Sequence, residues 1–236
     1  MEAFLDAWAV IAVADHSHAP VEQTVDLEAA IGARFTVLTP NGRRADEAEV
    51  ALCPSQRSAQ LYALGEERTA AVARLVETAL EVDGVDLACF RARDGDGVIA
   101  RCGEELRFAP GTSVEDPRGE RWRVHGDLGV LGARLDGEAF SSPDYPDALA
   151  RVWAALTCPT SGDVLLSAAP GWEFPDWGGV HHVGGGSHGS LHAIDSLGAL
   201  VFCGVDAPAE RAARGNWSIR DIAPMAVGHF VESRGE

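Results

Sequence analysis

Lysine is absent from this sequence: all 19 of its basic residues are arginine, set against 36 acidic residues. The resulting net charge of −17 repels phosphate backbones and anionic lipid, which disfavours a nucleic-acid polymer or a membrane surface as partner. No run of about 18 apolar residues occurs, so no membrane-spanning helix is expected. The segment Met1–Val13 lacks the basic start of a signal peptide. Cysteines are few, odd in number (five) and never in a C-x-x-C pair, which argues against a disulfide framework. Cys53, Cys89, Cys102, Cys158 and Cys203 read as small buried apolar side chains in a reducing compartment, which points to the cytoplasm. Internal repeats and low-complexity runs are also missing.

What is present is an ordinary globular composition. Of 236 residues, 46% are hydrophobic and 23% charged, enough for one domain with a full core. Trp8–Ala14 is a continuous apolar run rich in β-branched residues, as a strand buried on both faces of a parallel sheet would be. Phe35–Leu38, Val50–Cys53, Val164–Ala168 and Leu200–Cys203 read the same way. Glu66–Leu80 predicts a helix with Val72, Leu75, Val76, Ala79 and Leu80 on one stripe. Tyr145–Leu156 predicts another, and a last helix starts near Asp221 with Pro224 in its first turn, where a missing N–H costs nothing. Between about 86 and 134 the pattern changes to short alternating segments split by DGDG, PGT and DPRG turns, a β-meander inserted into the sheet domain. The expected fold is therefore one α/β domain over 1–236, a mostly parallel sheet with flanking helices and a β-rich insertion.

Two constellations carry chemistry. Asp15-His16 directly follows the first apolar run, which would place a carboxylate and an imidazole at the carboxyl edge of a parallel sheet, a usual place for sites. Both are transition-metal ligand types; the plain alternative is a solvated strand end. The second is Trp177–Gly189 (WGGVHHVGGGSHG), where three consecutive glycines and several histidines do not suit a packed element. His188 has the setting of a ligand on a tight loop, although a glycine loop with exposed histidines would look alike. His181, His182 and His192 are candidates for substrate or outer-ligand roles, or plain loop polarity. His18 and His125 read as surface residues. Gly185–Gly189 also fits G-x-S-x-G, the nucleophile elbow of serine hydrolases, with Ser187 as nucleophile; that motif needs a strand just before and a helix just after.

Taken together, these motifs resemble a known family. Val10–His16 resembles the strand-then-Asp-His motif of the alkaline phosphatase superfamily, in particular its type I phosphodiesterase/nucleotide pyrophosphatase branch. Gly186–Ser190, then Leu191-His192, Asp195-Ser196, Ala199–Gly204 and Ile219–Pro224, are similar to that branch's late segments. The resemblance implies an alkaline phosphatase-like fold and two divalent metal ions, most often Zn²⁺. Asp15 and His16 would bind the ion that also holds the nucleophile, and His188 the other. In that family the nucleophile and the remaining ligands lie upstream of the Asp-His motif, and only 14 residues precede Asp15. The expectation is the C-terminal half of a hydrolase of small phosphoesters or nucleotides, with no catalytic residue of its own, inactive alone, and associating with itself or with a missing N-terminal half. The alternatives are a non-enzymic remnant that binds a metal or a partner protein, and the Ser187 hydrolase.

Overall fold

The computed structural model describes residues 4, 8–40 and 45–232. In chain order its strands and helices are β1 (Val10–Val13), β2 (Ala19–Thr24), α1 (Leu27–Gly32), β3 (Val37–Leu38), β4 (Val50–Ser55), β5 (Ser58–Ala63), α2 (Arg68–Leu80), β6 (Val85–Arg91), β7 (Gly97–Arg101), β8 (Glu104–Glu115), β9 (Arg121–Gly126), β10 (Arg134–Asp136), β11 (Ala139–Ser141), α3 (Ala148–Thr157), β12 (Val164–Ala168), β13 (Gly171–Glu173), β14 (Gly186–Ser187), α4 (Ala193–Ser196), β15 (Leu200–Cys203), α5 (Ala209–Arg214) and α6 (Ile222–Glu232). The chain divides into a larger unit, His18–Ser196, and a smaller one made of Met1–Ser17 and Leu197–Glu236.

The larger unit is built on one long sheet in the order β10-β11-β8-β7-β6-β12-β5-β4-β3, with β9 also paired to β8. Among its described neighbours only β3–β4 and the single-residue junction β8–β11 are parallel; the rest are antiparallel. The mostly parallel sheet expected from the apolar runs, and implied by the likeness to the alkaline phosphatase superfamily, is therefore corrected to a mixed, largely antiparallel one. The reason is physical. An apolar run reports that both faces of a strand are covered, and this is true here. On β6, Ala88 and Phe90 pack with Leu75, Val76 and Ala79 of α2, while Leu87 and Cys89 pack with Leu149, Val152 and Leu156 of α3. Cover says nothing about direction. For β4–β5 and for β6 to β9 direction follows from the connections, which are too short for parallel crossovers of a dozen or more residues; β12 pairs antiparallel with β5 and β6 without a short link to either. Two residues, Gln56 and Arg57, join β4 to β5; Cys102 and Gly103, both at positive φ, join β7 to β8. The alternating segments after residue 86 become β6 to β9, successive antiparallel neighbours joined to the rest of the sheet through β6–β12.

A second, three-stranded sheet in the larger unit has the order β13-β2-β14, with β2 in the middle, parallel to β13 and antiparallel to β14. In the smaller unit, β1 pairs antiparallel with β15, from Val10 opposite Cys203 to Val13 opposite Leu200. The first apolar run is thus one half of a two-stranded ribbon, with Trp8, Val13 and Val201 exposed, and not a strand buried on both faces. The final helix, α6, begins beside Asp221 as expected, with Pro224 in its first turn; a reciprocal capping box of Ser218 and Asp221 closes the short 3-10 turn Ile219–Asp221 ahead of it. Among the described residues no helix is long and apolar enough to cross a membrane.

The cysteines also depart from the sequence reading. Only Cys89 is buried; Cys53, Cys102, Cys158 and Cys203 are exposed, and none is bonded to another. Burial, helped by the nearby Asp86 carboxylate, pushes the Cys89 thiol up to about 12. At Cys158, hydrogen bonds from the Thr160 side chain and backbone lower the thiol below its ordinary value. A chromogenic thiol reagent at neutral pH is expected to modify four thiols quickly, Cys158 fastest, and Cys89 only after denaturant is added. Fast loss of all five thiols from the folded protein would contradict the buried position of Cys89.

Candidate metal centre

The site grows out of the pairing of β2 with β14. Gly186 lies opposite Pro20 and Ser187 opposite Ala19. Continuing that register by one pair sets His188 opposite His18. Side chains alternate along a strand, so residues next to the inward Ala19 and Ser187, both about 1% exposed or less, must turn to the other face. There the two imidazoles meet edge to face, centroids 5.4 Å apart. Each offers a ring nitrogen, and these lie within 4.8 Å of each other. His18 is exposed and His188 half-buried, so the pair is open to solvent on one side.

One residue, Ser17, separates His18 from His16, and the boundary between the two units falls just after it. His16 Nδ1 lies 2.9 Å from the Ser17 carbonyl oxygen. A proton on that nitrogen makes this a hydrogen bond and leaves Nε2 as the ring's lone-pair nitrogen. The Asp15 carboxylate stands 3.4 Å from Nε2 and is itself well exposed, at 76%. Asp15 and His16 belong to the smaller unit and His18 and His188 to the larger.

The loop that carries His188 is not a loose glycine tether. Glu173, at the end of β13 and 1% exposed, accepts hydrogen bonds from the backbone N–H and, 3.0 Å away, the ring Nδ1 of His182, and also from Ser187. Burial alone would raise its carboxyl; the donors outweigh that and hold it below the usual carboxylate range. A depressed pKa adds stability above the unfolded value near 4.5, and this anchor weakens as pH falls through the folded value. Beyond His188, Gly189 turns the chain at φ +112°, a conformation costly for other residues.

The remaining sequence candidates fall elsewhere. His182 is tied to Glu173, and His181 is exposed. His192 packs edge-on against Tyr145, and its Nδ1 accepts the Ile194 N–H at 3.1 Å. His125 lies exposed on β9. Ser187 lies buried inside β14, its hydroxyl oxygen 3.4 Å from Gln56 Oε1; no helix follows directly, so the strand–helix elbow of a serine nucleophile is missing. His18 is the residue that sequence reasoning passed over. Its signal was the H-x-H spacing at 16–18: in an extended segment, residues two apart share a face.

No family model matches the chain, and neither a curated protein nor a solved structure matches it.

Proposed function

We propose that His18 and His188 hold one divalent transition-metal ion, Zn²⁺ above others, and that the protein uses it to hydrolyse small phosphoesters or nucleotides. The observation that carries the metal is the ring-to-ring approach of His18 and His188 across adjacent strands. Imidazole nitrogens favour zinc, copper or nickel over magnesium or calcium, which take oxygen ligands. When bound, such an ion would supply Lewis acidity and lower the pKa of water at its open positions. The chain's own share is to fix the two rings across paired strands. We propose one shared ion in place of the two implied by resemblance, because His188 faces a second imidazole directly. The phosphoester class rests on the motifs around Asp15-His16 and Gly186–Ser190. The unpaired cysteines fit a cytoplasmic location.

A second reading is a metal-binding module without turnover. The largely antiparallel sheet favours it, since it is not the scaffold that the phosphodiesterase resemblance implies. One experiment separates the two. Metal-stripped protein is titrated with Zn²⁺, Co²⁺ and Mg²⁺ by calorimetry, then assayed on a chromogenic phosphodiester. The hydrolase reading expects one Zn²⁺ or Co²⁺ per chain, no heat with Mg²⁺, and zinc-dependent turnover by metal-bound water, in place of the inactivity expected from the lack of a side-chain nucleophile. Binding without turnover selects the module; no binding of any transition metal discards both.

A further inference from the structure

Arg57 is wholly buried, and its ion-pair partner Asp195 is 1% exposed. Its Nε donates to Asp195 Oδ2 at 3.0 Å, one terminal nitrogen to the Trp172 carbonyl at 2.9 Å, and the other to Ser190 Oγ at 3.4 Å. Asp195 is filled from the loop as well: the Ser190 N–H donates to Oδ2 at 2.9 Å and the Ser190 hydroxyl to Oδ1 at 2.5 Å. The Arg57 backbone N–H donates to the carbonyl of His188 itself, at 3.1 Å. The Arg57 carbonyl in turn accepts the Ala168 N–H at 3.0 Å, which ties this turn to the end of β12. One residue in the tight β4–β5 turn therefore holds the main chain at residue 188 and, through its side chain, residues 190 and 195.

A buried ion pair is a costly way to gain stability, since an apolar pair of similar volume commonly does as well. What an apolar pair cannot do is make three hydrogen bonds to one loop residue, Ser190. We infer that Arg57 is the positioning residue of the metal centre, setting the His188 ring opposite His18 before an ion arrives. The inference rests on the proposed His18–His188 site. It gives the ion pair a purpose beyond folding: Gly189 leaves the loop free to turn, and the Arg57–Asp195–Ser190 network removes that freedom.

The test compares wild type with a double variant, Arg57→Met with Asp195→Leu, and with Ser190→Ala. The double variant removes both charges together and leaves neither unpaired. Ser190→Ala keeps the charges and deletes the hydroxyl between them and the loop. Three quantities are read: the urea midpoint without metal, the Zn²⁺ dissociation constant by chelator competition, and the visible absorption of bound Co²⁺, which reports ligand geometry. The double variant is expected to keep a midpoint near wild type, bind Zn²⁺ about 10–100-fold more weakly, and show an altered Co²⁺ spectrum. Ser190→Ala is expected to shift affinity and spectrum in the same direction, by less. Wild-type affinity and spectrum in a folded double variant would overturn the inference. If the double variant does not fold, the same result in Ser190→Ala overturns it. Failure of the wild type to bind Zn²⁺ or Co²⁺ is a different outcome, which removes the metal reading itself and this inference with it.

Discussion

Alanine at His188 is expected to weaken Zn²⁺ binding by more than about a hundredfold, exceeding the usual cost of losing an outer partner of a metal ligand. His18→Ala should do the same, because the two rings face each other across paired strands and neither has a substitute at that position. His125→Ala, on the exposed face of β9, is the control and should change nothing. Folding should be almost untouched in all three, within about 0.5 kcal/mol, since each ring lies at least partly in solvent and fills no core space. The measurement is chelator competition on metal-stripped protein, with a urea melt alongside. Wild-type affinity in His188→Ala would show that the pair is surface polarity. Loss of affinity together with a collapsed melt would show that the ring is structural.

The second large effect falls on stability and leaves the metal centre alone. Phe108→Ala is expected to cost about 3–5 kcal/mol. The ring is fully buried on β8, edge to face with Trp122 at 5.9 Å and with Trp153 of α3 at 6.2 Å. Gly97 lies directly opposite in the register, and a Cβ there would come within 2.8 Å of the Phe108 ring. Glycine makes room for the phenyl group, so nothing nearby can refill the space once the ring is removed. Urea unfolding followed by tryptophan fluorescence reads both the lost stability and the wetter surroundings of Trp122 and Trp153. Zn²⁺ affinity of the folded fraction should match wild type. A midpoint shift worth less than about 1 kcal/mol would mean that this face of the sheet is not the packed core described above.

Much of the local structure was legible in the residues. The stripe of Val72, Leu75, Val76, Ala79 and Leu80 marked α2, and the start near Asp221 with Pro224 in the first turn marked α6. Both signals are local: a helix closes its own hydrogen bonds within four residues, so spacing suffices. Sheet direction was not legible in that way. Leu-rich and Val-rich runs such as Val164–Ala168 are identical whether the neighbours run parallel or antiparallel, and they took their meaning from cover by α2 and α3. The two-residue links at Gln56-Arg57 and Cys102-Gly103 held the information for β4–β5 and β7–β8, as short connections exclude crossovers, but not for β12, whose neighbours β5 and β6 are far off in the chain. The candidate site was half legible. His188 stood out by its glycine setting, whereas His18 looked like any polar residue after a strand.

By itself the sequence determined the strongly acidic surface, the lack of an apolar run that could span a bilayer, the positions of the main helices and the concentration of histidine in two short segments. Those are properties of composition and of spacing within a few residues. The tertiary structure alone decided that β2 pairs with β14, and so that His18 meets His188 across about 170 positions of chain. It also decided that Arg57 and Asp195, 138 residues apart, share one buried ion pair. Contacts of that range depend on which strands become neighbours, and that choice is settled by the packing of the whole sheet against its helices, with no trace in the residues on either side of the contact.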